Sequence, residues 1–263
     1  MQNTHTSPDR LEALKAQLAT LERKTGNGRR PDLPAVGREI LPGLTTTGVV
    51  HDLYAEAEAD AVSVNAFGLG LALNAAGGRP LVWGLHEAVA REDGQPHGPG
   101  LHEMGLRARD VLLVRARDVQ TLLAIGEEAL RTPAVGAVLL SAWGEARALT
   151  LTASRRLALA AQAGGGTLFL ARIAADPAPS AAETRWSVAA APSEPLEGEA
   201  PGRPSFSVTL LRRRGGGALR SWIVEWDRDG RRFRQPAPLS GDLVPLAAQR
   251  PAAATAVGGR RVA

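Results

Sequence analysis

Three carboxylates, Glu56, Glu58 and Asp60, lie where a nucleotide-binding protein would hold its phosphates. The apolar stretch Gly48-Val-Val-His-Asp-Leu precedes them, and a second apolar run, residues 62–76, follows and ends at Gly77-Gly78. A strand, a connection and a helix in this order frame the phosphate loop G-x-x-x-x-G-K-[ST] of ATP-binding proteins. Here the connection contains no glycine and no lysine. Because carboxylates repel a triphosphate, the sequence predicts this type of unit without its phosphate site.

Residues 135–141 are the second place where nucleotide hydrolysis can be judged. In nucleotide hydrolases an apolar strand of this kind ends in an aspartate that holds the magnesium ion. This strand ends in Ser141, followed by Ala142 and Trp143, so the metal ligand is missing as well. Since both the phosphate loop and the metal carboxylate are absent, we expect no ATP hydrolysis, no cofactor and no enzymatic activity.

Other residue types that could perform chemistry lack the required spacing. Histidine and glutamate are close at His86-Glu87 and again between His97 and Glu103, but no zinc pattern such as H-E-x-x-H occurs. No G-x-S-x-G motif gives Ser141 or another serine the setting of a nucleophile. Gly68-Leu-Gly70 lacks the third glycine of a dinucleotide fingerprint. We therefore expect no catalytic residue and no metal site.

Arginine dominates the C-terminal part of the chain, where residues 203–263 carry 12 basic and 4 acidic side chains. A charge split of this size indicates a surface for nucleic acid or for an acidic partner, although a solvated basic surface would have the same composition. Contact with DNA through arginine alone would be sensitive to salt and independent of sequence. The candidate residues for binding DNA or a partner are Arg212, Arg213, Arg214, Arg220, Arg231, Arg232 and Arg234.

Aromatic residues lie among these arginines and could in principle stack on bases. Trp222 and Trp226 alternate with polar positions along one segment, and Phe233 follows. Alternation of this kind places the tryptophans on the buried face of a strand. We therefore expect them to face the core.

The elements that position these residues can be read from the apolar pattern. Five apolar segments, predicted to be buried strands, alternate with segments of helical spacing. Asp118 is expected to cap one of the helices, and residues 88–99, with their glycines and prolines, are predicted to form a loop. The pattern predicts a three-layer α/β domain with a mostly parallel sheet. The predicted strands are residues 48–53, 81–85, 111–115, 135–141 and 167–173, and the predicted helices are residues 62–76, 100–106, 118–131 and 152–163.

Segments on both sides flank this core. Ser7-Pro8-Asp9 is a good helix start, and Leu11, Leu14, Leu18 and Leu21 then form a short apolar seam that could dock on the chain's own core or on a partner. Beyond residue 174, a short strand at residues 185–189 and alternating segments near residues 205–210 and 222–234 predict an antiparallel meander on the sheet edge. We divide the chain into an N-terminal helix and linker (1–41), the core (42–175), a C-terminal β extension (176–246) and a basic tail predicted to be disordered (247–263).

The composition also restricts the cellular compartment in which the protein is expected. Cysteine is absent, so neither a disulfide framework nor a thiolate metal site is expected. The first residues show no signal pattern, and no apolar run reaches the length needed to span a bilayer. The sequence therefore predicts a cytoplasmic protein without membrane contact.

Several segments between residues 9 and 235 resemble the ImuA family of damage-inducible mutagenesis proteins. They are Gly48-Val-Val-His-Asp-Leu, Leu151-Thr-Ala-Ser-Arg-Arg-Leu-Ala-Leu-Ala-Ala, Pro179-Ser-Ala-Ala-Glu-Thr-Arg-Trp, Gly202-Arg-Pro and Ser221-Trp-Ile-Val-Glu-Trp. The resemblance implies a degenerate RecA-like core and a role in the SOS response. It implies, as partners in translesion synthesis, an inactive Y-family polymerase homologue and an error-prone DNA polymerase, with RecA as a further candidate. It implies no catalytic residues.

Three hypotheses follow, from different functional classes. The first is a non-enzymatic adaptor of a translesion synthesis complex, as the emptied nucleotide site, the basic C-terminal region and the family resemblance indicate. The alternative is a SulA-like inhibitor of cell division in the SOS response, since the RecA-like and SulA-like proteins share the core and the damage context. The third, a surviving ATPase, ranks last because both nucleotide motifs are missing.

Overall fold

Nine strands form a single sheet in the computed structural model, which describes residues 7–25, 41–44 and 46–236. The strands are β1 (Val50–Ala55), β2 (Leu81–His86), β3 (Val111–Ala116), β4 (Ala137–Trp143), β5 (Thr167–Ile173), β6 (Thr184–Ala190), β7 (Ser205–Arg213), β8 (Ser221–Asp227) and β9 (Arg232–Arg234). Their order across the sheet is β3-β2-β4-β5-β1-β6-β7-β8-β9. Neighbours from β3 to β6 are parallel, whereas β6 to β9 pair antiparallel. The predicted mostly parallel α/β sheet with a C-terminal antiparallel meander is confirmed.

Helices cover both faces of the parallel part. In the described residues they are α1 (Ser7–Thr25), α2 (Ala61–Ala76), α3 (Glu87–Glu92), α4 (Gly98–Glu103), α5 (Val119–Arg131) and α6 (Leu151–Gly164). α2 and α3 contribute to one buried apolar cluster, and α1, α5 and α6 contribute to a second. Successive residues of β4 alternate between them, with Leu139 in the first and Leu140 in the second. The predicted three layers are therefore present.

The central strands are buried on both faces, which explains their continuous apolar sequences. Every residue of β5 is buried, and in β1, β2 and β4 only the last residue is partly exposed. A strand in the middle of a parallel sheet has no solvent face, so it loses the alternation that marks half-buried strands. Helix ends also follow the sequence signals, since Asp118 caps α5 by accepting a 2.7 Å hydrogen bond from the amide of Thr121.

The N-terminal leucine seam docks on the chain's own core. Leu14 and Leu18 of α1 are almost fully buried in the second cluster, and α1 contacts α5. Leu11 and Leu21 pack against the same cluster with part of their surface exposed. The seam therefore belongs to the outer layer of this domain, as the first of the two alternatives predicted.

Two helices differ from the sequence prediction. Residues 88–99 were predicted to form a loop, but Glu87–Glu92 form α3, because Val89 and Ala90 bury their side chains in the first cluster. The glycines and prolines that suggested a loop begin only at Gly94. α4 begins at Gly98, earlier than predicted, with proline in its first turn.

β6 extends the parallel sheet beyond the five strands expected from the apolar pattern. It pairs parallel to β1 on one side and antiparallel to β7 on the other. The prolines around it predicted a short strand between loops at the sheet edge, yet Trp186 and Val188 are fully buried on the α2 side. Burial of these side chains outweighs the loop composition of the flanking residues.

The antiparallel meander buries the face predicted from its alternation. Phe206, Val208 and Leu210 of β7 lie in the first cluster, together with Val224 and Trp226 of β8 and Phe233 of β9. Trp222 packs against this cluster and lies 5.6 Å from Trp186 between ring centroids. The tryptophans therefore face the core, as expected.

The predicted linker after α1 and the tail after residue 246 lie outside the described residues. Within the described residues, no helix combines the length and the apolar character that would let it cross a bilayer.

The close approach of α5 and α6 provides a test of this packing. A Cβ atom at Gly164, the last residue of α6, would overlap the backbone carbonyl of Leu130 in α5. We expect Gly164→Ala to lower the free energy of unfolding by about 2–3 kcal/mol, because an overpacked contact with backbone cannot relax by rotating a side chain. Urea denaturation measures this change. Gly100→Ala in α4 is the matched control, since its Cβ would meet open space, and an equal loss in both variants would contradict the prediction.

Candidate functional site

The connection between β1 and α2, where a phosphate loop would lie, is fastened to β6. The amide of Glu56 donates a 2.9 Å hydrogen bond to the carbonyl of Val188. The carboxylate of Asp60 accepts hydrogen bonds from the amides of Ala190, at 2.8 Å, and Ala57, at 3.2 Å. Glu56 and Glu58 remain exposed. Hydrogen bonds to β6 thus hold the connection in place, and its carboxylates lie at the N-terminus of α2. In phosphate-binding proteins this end of the helix attracts anions.

Ser141, at the position expected for a metal-binding carboxylate, lies in a closed hydrogen-bond chain. Its hydroxyl accepts a 2.9 Å bond from the indole Nε1 of Trp83 and donates a 2.6 Å bond to Oδ1 of Asn65. The amide group of Asn65 in turn donates to the carbonyl of Ala61, at 3.0 Å. Ser141 is fully buried, and Trp83 and Asn65 are nearly so. Neutral side chains from β2, β4 and α2 therefore satisfy one another at this position.

The described residues do not bring a set of metal ligands together. No group of three or more His, Cys, Asp or Glu side chains there has the geometry to hold a metal ion. His97 is the N-cap residue that precedes α4, and His102 is exposed on that helix. The histidines and glutamates that are close in sequence are thus not gathered into a site within this part of the chain.

A buried charged cluster on the other face of the sheet was missed by the sequence analysis. Asp52 of β1 is 2% exposed, accepts a short hydrogen bond from the hydroxyl of Ser180, and lies 3.8 Å from Nε of Arg185. Burial raises the pKa of Asp52, and the Ser180 hydrogen bond and the arginines oppose this shift. The carboxyl group of Asp52 is therefore held in place by partners on β6 and on the loop that precedes it.

Tyr54 and Arg172 extend this cluster toward the ends of the strands. The guanidinium carbon of Arg172 lies 5.4 Å from the centre of the Tyr54 ring, and that of Arg185 lies 5.9 Å from it. The Tyr54 hydroxyl accepts a 3.2 Å hydrogen bond from the amide of Ala178. Burial raises the pKa of Tyr54, and so does the nearby Asp52. The cavity beside the cluster measures only about 10 Å³, roughly the least that holds one water molecule, so the cluster fixes a loop and leaves no room for a substrate.

The sequence carried a signal for this cluster. Asp52 and Arg172 interrupt strands that are otherwise apolar and central. Charged residues are almost never fully buried unless they are paired. Their positions therefore pointed to a buried ion pair, although the sequence alone does not identify Arg185 and Ser180 as the partners.

The predicted arginines fall into two groups at opposite ends of β8. Arg212, Arg213, Arg214 and Arg220 flank the turn between β7 and β8, whereas Arg231, Arg232 and Arg234 flank the turn between β8 and β9. The seven-residue length of β8, at about 3.3 Å per residue, separates the two groups. The structure thus brings four of the candidates together and places the other three elsewhere.

The two groups also differ in their partners. Arg234 forms a 3.0 Å ion pair with Glu225, and Arg232 lies 3.6 Å from Asp227. In the first group, Arg212 donates a 3.0 Å hydrogen bond to the carbonyl of Ala182, while Arg213, Arg214 and Arg220 are exposed. Positive charge is therefore partly neutralised at the β8–β9 turn and remains available at the β7–β8 turn.

Comparison with known proteins identifies relatives. No family model matches the chain. The proteins named ImuA from two strains of Caulobacter vibrioides are each 36% identical to it over 143 residues. The predicted resemblance to the ImuA family is confirmed. The match covers 50% of this chain and 57% of each relative, so the chain spans little more than half the length of the ImuA proteins it matches.

His51, beside Asp52 in β1, faces the α2 side and is fully buried. Its ring stacks on Phe169 with the ring centroids 5.2 Å apart, and its Nδ1 lies 2.8 Å from the hydroxyl of Thr184. Burial lowers the pKa of His51 to about 4. The histidine is therefore a neutral core residue at physiological pH and is not available as a proton-transfer group.

This burial predicts a pH dependence of stability. Between about pH 4 and the ordinary histidine pKa of about 6.5 the unfolded chain binds more protons at this position than the folded chain, so stability rises with pH across that window. We expect the stability difference between the unmodified chain and His51→Gln to shrink by about 3 kcal/mol as the pH falls from about 7 to 4, since one pKa unit is worth about 1.4 kcal/mol.

Chemical denaturation at several pH values measures this difference. His102→Gln, which alters an exposed histidine, is the matched control and should keep the profile of the unmodified chain. A difference for His51→Gln that stays constant from pH 7 to 4 would show that His51 is not held neutral by burial.

Proposed function

We propose that this chain is a non-enzymatic accessory protein of DNA damage-induced mutagenesis. The observation that carries the proposal is the 36% identity to the ImuA proteins over 143 residues. The connection at Glu56–Asp60 and the buried Ser141 chain support its non-enzymatic character, because the connection has no lysine to bind phosphate and Ser141 replaces the carboxylate that would hold magnesium.

The core is proposed to be a RecA-like domain that has lost its nucleotide chemistry. Support comes from the strand–connection–helix unit β1–α2 within the parallel part of a sheet that helices cover on both faces. The fold would then serve as a scaffold that presents surfaces to partners, and its stability would not depend on ATP.

The proposed setting is an SOS-induced translesion synthesis complex. Its members would be the inactive Y-family polymerase homologue and the error-prone DNA polymerase, with RecA as a further partner and with sequence-independent DNA contact through the arginines. The net basic charge of the described C-terminal region and the exposure of Arg213, Arg214 and Arg220 support an acidic ligand.

Inhibition of cell division, the SulA-like alternative, is not favoured. The relatives found by comparison carry the ImuA name. An adaptor and a division inhibitor make different predictions about partners and about cell length, so one set of experiments separates them.

The proposed lack of nucleotide chemistry predicts the result of a titration. A fluorescent ATP analogue with magnesium should show no saturable binding to the full chain up to about millimolar nucleotide, because carboxylates occupy the region of the phosphate loop. An active RecA-type ATPase serves as the positive control. Saturable binding accompanied by phosphate release would overturn the non-enzymatic proposal.

The adaptor role predicts capture of a polymerase subunit. Tagged full chain should co-purify with the inactive Y-family polymerase homologue, and expression in cells lacking the gene should restore damage-induced mutation frequency. The division GTPase, used as a separate bait, is expected to remain unbound, and cell length is expected to remain normal on overexpression. Capture of that GTPase alone, with filamentous cells and no restored mutagenesis, would replace the adaptor by the division inhibitor.

A further inference from the structure

The hairpin between β7 and β8 ends in an exposed, glycine-rich tip, residues 213–220. The two strands remain paired only as far as Thr209 and Ser221. Beyond this pair the chain passes through Gly215, Gly216 and Gly217, whose φ angles are 83°, 81° and 129°. Residues other than glycine rarely adopt such φ angles. A Cβ atom added at position 215 or 216 would have no neighbouring atom within 4 Å. The tip is therefore a projecting loop whose middle consists of bare backbone.

Arginines surround this bare backbone and have no acidic counterpart in the tip. The tip begins with Arg213 and Arg214, continues with Gly-Gly-Gly-Ala-Leu, and ends in Arg220. All three arginines are exposed. In the described ranges of the chain, no carboxylate forms an ion pair with any of them. Three positive charges thus face solvent within eight residues.

The base of the tip is anchored, so the arginines project from a fixed position. The amide of Arg214 donates a 2.8 Å hydrogen bond to the carbonyl of Glu183, and the side chain of Arg212 donates to the carbonyl of Ala182. The amide of Leu210 donates a 2.9 Å bond to the carbonyl of Arg220. These bonds connect both ends of the tip to the sheet.

Leu219 adds an apolar side chain at the same place. It is 63% exposed, next to Arg220. A leucine that gains nothing from the core of its own domain is available to pack against a ligand. An apolar side chain beside arginines on a narrow loop is the combination that minor-groove proteins insert between base steps.

We propose that this tip binds duplex DNA from the minor groove. The groove is only about 6 Å wide, so the part of a loop that enters it must be narrow, and the three consecutive glycines make the middle of the tip narrow. Arg213, Arg214 and Arg220 would contact the flanking phosphates, and Leu219 would pack against a base step. The inference specifies the DNA contact of the proposed function and rests on it for its biological setting.

An acidic protein is a less suitable ligand for this surface. Acidic and phosphorylated peptides are held by arginine clusters, and extended peptides are held in grooves or along free sheet edges. The tip is convex, and its middle offers bare glycine with no pocket around positions 215 and 216. A convex loop fits a concave ligand, and a DNA groove flanked by phosphates matches both its shape and its charge.

The test measures binding of the full chain to a labelled 20-base-pair duplex over a series of salt concentrations. The triple variant Arg213→Ala, Arg214→Ala, Arg220→Ala should bind more weakly, and the slope of log K against log salt should fall by about 3, because each phosphate contact adds roughly one to that slope. The matched control removes the same charge outside the candidate binding residues, by Arg117→Ala, Arg147→Ala, Arg155→Ala, all of them exposed. It should keep the slope of the unmodified chain.

Two further measurements address the groove and the wedge. Netropsin, a minor-groove ligand, should displace the chain from the duplex, whereas methyl green, a major-groove ligand, should not. Leu219→Ser should weaken duplex binding without changing the salt slope, since it removes an apolar contact and no charge. Circular dichroism and urea denaturation confirm that each variant is folded.

Several results would overturn the inference. They are equal losses in the tip variant and the control variant, insensitivity to netropsin, tighter binding to a dT20 single strand than to the duplex, and equal binding to a polyglutamate peptide of matched charge. If the inference failed while the chain still captured the polymerase homologue, the proposed function would stand. If polymerase capture and restored mutagenesis failed while duplex binding followed the predictions, only the proposed function would fall.

Discussion

The structure depends on the hydrogen bonds and ion pairs that buried polar side chains of a doubly covered sheet form inside the protein. β1, β4 and β5 lie between two helical layers, so the few polar side chains within them cannot reach bulk water. Ser141 is satisfied by Trp83 and Asn65, His51 pairs with Thr184, and the carboxylate of Asp52 pairs with Ser180 and Arg185. These bonds connect β1 to β6, and β4 to both β2 and α2. These polar groups are thus paired within the protein and do not depend on a ligand.

Most of the fold could be predicted because it follows from apolar periodicity and helix-end signals. The central buried strands, the caps at Asp118 and Gly77, and the inward tryptophans of the meander appear where local sequence indicates them. The prediction that residues 111–115 form a buried strand was wrong in its burial, because β3 is the edge of the sheet and only its last residue is buried. α3 was missed because six residues give too short a pattern to compete with the nearby glycines and prolines. The parallel pairing of β6 was missed because the partner of a strand depends on long-range packing, here the burial of Trp186 and Val188, which no local pattern encodes.

The candidate sites were less predictable than the fold, for a different reason. Absence of a motif can be read directly from sequence, so the lack of a phosphate loop at Glu56–Asp60 was evident. The spatial arrangement of residues cannot be read from sequence in the same way. The arginines that are close in sequence separate into two groups, because they lie at opposite ends of an extended β-strand. Arg232 and Arg234 then lie beside Asp227 and Glu225, so similar residues on one hairpin differ in the charge that they present to a ligand.

β6 has a consequence for how binding and stability are coupled. It hydrogen-bonds to β1 on one side and to β7 on the other, so the hairpin belongs to the same sheet as the centre of the domain. Loss of β6 would separate the parallel part of the sheet from the antiparallel meander. The edges of β1 and β7 that now pair with β6 would then lack hydrogen-bond partners. A ligand that prefers the folded hairpin therefore adds its binding free energy to the stability of the whole sheet. Occupancy at one margin of the molecule would thereby protect the buried strands from local opening.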